Sequence, residues 1–329
     1  MFNHCESLQL KSALDLLCWP TIRTSLSCAV RTQILMTSGK GRFRLDLDLN
    51  SRDRFIRGDE FLASCRDVSG ATYLKRDFLF RSGYWRGVHQ MSLLRQIANA
   101  QGKVLVIGHS DIATSRMIST LLVKGLGARM VFGVNTRPNP GVAETIPLGL
   151  TNLTLESALH QILGKDEHMF TASTEPFPQV FRPNIYSNFT AGTNSKARRA
   201  LLVSLAKLPG QIKVFSEEPV FTDQGRVNYL RRLRSSTFVV CPEGNGKDTH
   251  RLWETLYMGG VPIVKRDKYM AGLYDRLPVL QVSNWSELGN LAFIESEWHR
   301  ITSMTWDKAL LGQEYWSKII ESRIRVQPN

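Results

Sequence analysis

No stretch of this chain reaches the roughly 18 to 20 consecutive apolar residues that span a bilayer. Lys11, Asp15, Arg23 and Arg31 interrupt the most hydrophobic N-terminal part. The basic start and unbroken apolar run of a secretory signal are also missing, so a cytoplasmic protein is expected. Cysteine is scarce: five residues, Cys5, Cys18, Cys28, Cys65 and Cys241, with no Cys-x-x-Cys pair. An odd, scattered set argues against a disulfide-built fold and fits a reducing compartment. A polybasic tail, an internal repeat and a low-complexity segment are absent too.

What is present is an ordinary globular composition, 43% hydrophobic and 22% charged. With 329 residues, the chain exceeds the size at which one core usually stops growing, which predicts two packed lobes. The formal net charge of +13 favours anionic partners: nucleic acid, acidic lipid head groups or phosphate-bearing small molecules. The basic residues are scattered, with Asp53, Asp59, Glu60 and Asp77 interleaved among Arg52, Arg54, Arg57 and Arg76. That pattern describes a mixed solvated surface.

Apolar spacing predicts a helix over Leu8–Leu17 and an alternating strand over Phe43–Leu49. Lys103-Val-Leu-Val-Ile-Gly108, the helical spacing of Ile112 to Leu126 and Arg129-Met-Val-Phe-Gly-Val134 form a βαβ unit, the building block of a parallel sheet. From 135 to 195 six prolines break regular structure around a short helical pattern over Leu155–Leu163, and the domain boundary is placed near Phe181. A second α/β alternation follows: strand 185–189, a helix from Lys196 capped by Ser195, strand 212–215, helix 227–233, strand 237–241, helix 249–258, and strands 261–264 and 278–282. The expected architecture is α/β, with two Rossmann-like doubly wound lobes. Residues 1–180 are expected to form the first lobe, and residues 181–329 the second, with C-terminal helices.

The passage 240–264, VCPEGNGKDTHRLWETLYMGGVPIV, leaves a strand through a glycine loop into a helix. In an open parallel sheet that is where ligands bind. Gly244 and Gly246 permit positive φ and close backbone approach, and a helix starting near Asp248 adds its positive dipole end. An anion is the natural occupant. His250 and Glu254 share one helix face, with Arg251 about 60° from Glu254 around the axis. The plain alternative is a surface Arg–Glu pair beside an exposed His250. Two nucleotide motifs fail here. Gly246-Lys247-Asp248-Thr249 has Cys241 where a P-loop needs its first glycine, and Gly108-His109-Ser110-Asp111 lacks the later glycines of a dinucleotide fingerprint.

Thr237 to Gly246, followed by His250 to Val264, resembles the nucleotide-sugar-binding segment of exostosin-like glycosyltransferases, in which Pro-x-Gly leads to an Arg-Leu-x-Glu helix and Gly-x-x-Pro-Val. Asn188 to Arg199 is similar to the start of that domain. His250 and Asp248 depart from the small hydroxyl residues associated with the family. The resemblance implies a GT-B fold with an interlobe cleft and a nucleoside-diphosphate sugar as substrate, with no separate cofactor. It implies donor-binding roles for Gly244, Asn245, Gly246, Asp248, Thr249, His250, Arg251 and Glu254. Arg251 would meet the diphosphate and Glu254 the ribose or sugar hydroxyls. Arg198 and Arg199 open a basic helix and could reach a phosphate, although surface arginines are commonly just solvated.

His109 and Asp111 follow the strand 104–107 at the crevice end of the first lobe, where an acceptor-activating base would sit; a helix cap for Asp111 and a polar loop for His109 is the plain alternative. Asp46-Leu-Asp48 lies inside a strand pattern and no other Asp-x-Asp suggests a metal, so a metal-independent transferase is expected. Its acceptor would be a glycan, a lipid-linked molecule or a protein, with peripheral association to an anionic membrane face. The rival readings are a nucleic-acid-binding protein, with Phe80-Arg-Ser-Gly-Tyr-Trp-Arg86 as its one basic-aromatic stretch, and a family member that binds donor without catalysis.

Overall fold

The computed structural model describes residues 70–75, 100–108, 111, 113–150 and 178–325. The elements expected over 8–17, 43–49 and 155–163, the stretch 80–86 and His109 lie outside them. The described chain forms two all-parallel sheets. The first has the order β1 (Ala71–Lys75), β2 (Val104–Gly108), β3 (Met130–Gly133), β4 (Ala143–Thr145). The second comprises β5 (Asn184–Asn188), β6 (Lys213–Glu217), β7 (Phe238–Val240), β8 (Val261–Lys265) and β9 (Leu280–Val282), in the order β6-β5-β7-β8-β9. The expected α/β alternation is therefore present, built on parallel strands.

Helices follow from the same apolar spacing that announced them. Ser115 caps α1 (Arg116–Thr120), its hydroxyl accepting from the Ile118 amide, and Leu121–Gly125 continues it as a wider π-turn. In the second half α2 is Ser195–Ala206, α3 Asp223–Ser235 and α4 His250–Tyr257. The short α5 (Ala271–Tyr274), α6 (Leu291–Ser303) and α7 (Gln313–Arg325) complete the described chain. Ser195 is the first residue of α2 rather than its cap. Asn194 takes the cap position in the left-handed region (φ 48°) and turns its side chain elsewhere. Gly259, at φ 78°, ends α4 in the expected left-handed turn, and Gly260 lies too close to the Leu233 carbonyl for any side chain.

Alternate residues of the second sheet feed two cores. Ile185, Phe238, Val240, Val261, Ile263 and Leu280 face α2 and α6, meeting Leu201, Leu205, Ile294 and Trp298. Tyr186, Val239 and Val264 face α3 and α4, meeting Tyr229, Leu233, Trp253 and Leu256. That second core continues without a break into the first sheet, through Val104, Val106, Met130 and Phe132. One apolar core thus joins the two sheets.

Helix α7, assigned from sequence to the C-terminal lobe, packs back on the first sheet. Trp316 and Ile320 enter the shared core, Arg129 Nη1 donates to the Ile324 carbonyl at 2.8 Å and Arg323 pairs with Glu144 at 3.1 Å. The sequence placed helices at the C-terminal end but carried no information on which sheet α7 would pack against. Among the described residues no helix is long and apolar enough to cross a membrane.

Candidate functional site

β5 and β7 are neighbours, yet the helices that follow them lie on opposite faces of the sheet: α2 in one core, α4 in the other. Their connecting loops, Phe189–Asn194 and Cys241–Thr249, therefore leave the carboxyl edge at the topological switch point, the place where open parallel sheets bind ligands in a crevice. Arg198 bridges the two loops. Its Nε donates to the Glu243 carbonyl at 3.1 Å and its Nη1 to the Thr190 carbonyl at 2.9 Å, with the guanidinium 5.5 Å from the Phe189 ring. Arg198 is only 7% exposed. Burial, aided by the nearby charge of Arg251, lowers its pKa to about 10. It remains a cation near neutral pH.

Arg251 approaches the same edge from α4. It is half-buried, its Nε is shut from solvent without a hydrogen-bond partner, and it makes no salt bridge among the described residues. The surface Arg–Glu pair considered from sequence does not form. Glu254 instead points into the core, fully buried, where Oε2 accepts from the Tyr229 hydroxyl at 2.8 Å and Oε1 is left without a partner. Burial pushes the Glu254 carboxyl up to about 7, against the opposing pull of the Tyr229 hydrogen bond and the Arg251 charge. Two guanidinium groups, near enough for the charge of one to be felt by the other, thus lie at one edge of the sheet, while Glu254 is sealed in the core within reach of the Arg251 charge. Such a pair of cations fits an anionic ligand.

The glycine loop works differently from its sequence reading. Neither Gly244 nor Gly246 takes a positive φ. A Cβ on Gly244 would stand 3.4 Å from Arg198 Nη2, and one on Gly246 would stand 2.7 Å from Asn135 Nδ2 and 3.4 Å from Asp111 Cα. Close approach is the reason for glycine at position 246, whereas a Cβ at position 244 would make only ordinary contacts. The amides of Lys247 and Asp248 donate to Asn135 Oδ1 at 2.8 and 2.7 Å, and that of Thr249 donates to Asp248 Oδ1 at 2.8 Å. These three N–H groups, expected to face a diphosphate, are thus engaged within the protein.

Asp248 is corrected in the same way, because its side chain faces inward. Its carboxylate accepts from the Leu148 amide (2.8 Å), Trp253 Nε1 (2.9 Å) and the Tyr274 hydroxyl (2.8 Å). Burial raises its pKa to about 6 despite these donors. His250 Nδ1 donates to the Gly149 carbonyl at 2.7 Å. Thr249 precedes α4 as its cap residue without a capping hydrogen bond, and its buried Oγ1 has no partner. Asn245 and Arg199 are exposed. Lys247 is neutralised by Glu243 at 2.5 Å and Asp267 at 3.7 Å.

On the first sheet, Asp111 is exposed just beyond β2, with its backbone against Gly246. Sequence reasoning missed Asn135 and Asn194, which grip the glycine loop from two sides; Asn194 Nδ2 donates to the Gly244 carbonyl at 2.9 Å. Their only signal is position, an asparagine shortly after the carboxyl end of a strand. The thiol of Cys241 is buried and pushed up to about 12, which removes it from nucleophilic chemistry. No group of three or more metal-ligating side chains occurs among the described residues. A scan of family models finds no match to the chain, and no curated protein matches it significantly.

Proposed function

We propose that the protein is a glycosyltransferase of two-lobed GT-B type that moves a sugar from a nucleoside-diphosphate sugar to an acceptor. The observation that carries this reading is the pair of arginines, Arg198 and Arg251, at the switch point of the second sheet, since a nucleoside diphosphate offers the negative charge they call for. The arginines bind the diphosphate, and Glu254, buried in the core, sets the field around Arg251. In the transfer, the acceptor hydroxyl gives its proton to Asp111 while its oxygen attacks the anomeric carbon. The bond from that carbon to the diphosphate breaks, and the leaving group departs with the electron pair. The arginines stabilise the charge that develops there.

A thermal-shift series with UDP, GDP, ADP and CMP sugars tests the reading, because a ligand at 100 times its dissociation constant stabilises the fold by about 2.7 kcal/mol. Arg251→Ala is expected to weaken binding of the active donor by about 1.5 to 3 kcal/mol, the worth of one charge-assisted hydrogen bond. Parent-like affinity in that variant would show that the donor lies elsewhere. Asp111→Ala is expected to lower turnover by roughly a hundredfold with donor affinity nearly unchanged. His109→Ala is the parallel measurement. Full turnover in both variants would remove the base from this edge of the first sheet.

A further inference from the structure

We infer that Asn135 is a positioning residue that locks the donor loop of the second sheet to the acceptor edge of the first. Its catalytic consequence rests on the glycosyltransferase reading; the lock itself does not.

Asn135 follows β3 and is 2% exposed, in the left-handed region at φ 55°. Asparagine tolerates that backbone far better than most residues. Its backbone and its side chain hold different parts of the molecule. The backbone carbonyl accepts from the Thr114 amide at 2.9 Å, and the Thr114 carbonyl accepts from the Arg137 amide at 2.8 Å. This pins Thr114, three residues after Asp111. The side-chain oxygen accepts from two consecutive amides, Lys247 and Asp248, more than a hundred residues further along the chain. Gly246 packs against Asn135 Nδ2, where an added Cβ would stand at 2.7 Å and displace the Asn135 side chain, and lies in ordinary contact with the Asp111 backbone.

Asn135 therefore ties the end of the first sheet near Asp111 to the loop that leads into the helix of Arg251. The Leu148 amide on Asp248 and the Gly149 carbonyl on His250 hold the same loop from a neighbouring point of the first half. The base and the arginine pair are held at a fixed spacing before any ligand arrives. A misplacement of about 1 Å can cost on the order of a hundredfold in rate, so fixing that distance matters more to turnover than to donor affinity.

The test compares two variants by hydrogen exchange and by kinetics. Asn135→Gly keeps the backbone conformation and removes the shared acceptor. Asn135→Asp keeps an acceptor for both amides. In Asn135→Gly the Lys247 and Asp248 amides are expected to exchange about tenfold faster or more, while the Val239 and Ile263 amides keep their protection and so report an intact sheet. Turnover is expected to fall about tenfold with the donor KM little changed, and Asn135→Asp to recover both the protection and most of the rate. Unchanged exchange at Lys247 and Asp248 in Asn135→Gly would overturn the lock. Lost protection with parent turnover would overturn the positioning role. A parent protein that shows no donor-dependent shift and no transfer would defeat the glycosyltransferase reading instead, while the exchange data would still decide whether Asn135 locks the loop.

Discussion

Asp248→Ala is expected to destabilise the protein by about 3 to 5 kcal/mol, more than any other single truncation at this site. The carboxylate is 3% exposed and serves the amides of Leu148 and Thr249, the indole of Trp253 and the hydroxyl of Tyr274. Removing it leaves several buried donors without an acceptor, and each such orphan costs about 1 to 3 kcal/mol before relaxation and water entry return part of the loss. Asp248→Asn keeps the volume but turns an amide N–H₂ toward groups that are themselves donors, so only part of the stability should return. Urea unfolding of the three proteins at pH 7.5 makes the comparison. A loss below about 1 kcal/mol in Asp248→Ala would mean that these donors find other partners, and that Asp248 is not what holds the loop.

The inward turn of Asp248 marks where sequence reasoning stopped. Strands such as β2, β7 and β8 were legible because each is a short continuous apolar run, buried on both faces, and α4 was legible from the spacing of Leu252 and Leu256. Strand alternation placed the loop after β7 at a carboxyl edge of the sheet, but the adjacency of β5 and β7 that makes it the switch point came only with the strand order. Polarity in a loop carries two meanings that spacing cannot separate. Asp248 and Arg251 are equally polar in the sequence, yet one completes an internal network and the other faces the crevice without a salt bridge. The deciding information lies in tertiary partners: Leu148, about a hundred residues earlier, and Tyr274, on a different helix. β1 and β4 escaped for a related reason. Ala71–Lys75 is too short and mixed to stand out, and Ala143–Thr145 pairs with β3 across a nine-residue connection without the helix that usually announces a parallel neighbour.

Glu254→Gln should separate the two demands on the other buried carboxylate, and it should do so through pH. Glu254 has an ordinary value of 4.5 in the unfolded chain and about 7 in the fold, where burial disfavours its charge. Between those values the folded state binds the extra proton. Its stability therefore falls as pH rises from about 4.5 to 7 and stays at the lower level above that window. The change is on the order of 3 kcal/mol, an upper figure for a site that can relax.

Glutamine does not titrate, so the variant should lack this portion of the slope. Its stability relative to the parent should improve between pH 5 and 8 even though its amide introduces a buried donor. Asp248 adds a similar fall between about 3.8 and 6 in both proteins and cancels from the difference. Donor binding should respond through Arg251. The Glu254 carboxylate is near enough to couple to the Arg251 charge, so its ionisation should offset part of the arginine's pull on an anionic donor: parent affinity should fall as pH passes 7, while the variant should keep its affinity across that range. Parallel stability profiles for parent and variant would mean that Glu254 is ionised in the fold well below pH 7. Parent and variant affinities that follow the same pH course would mean that the Glu254 charge does not reach the donor.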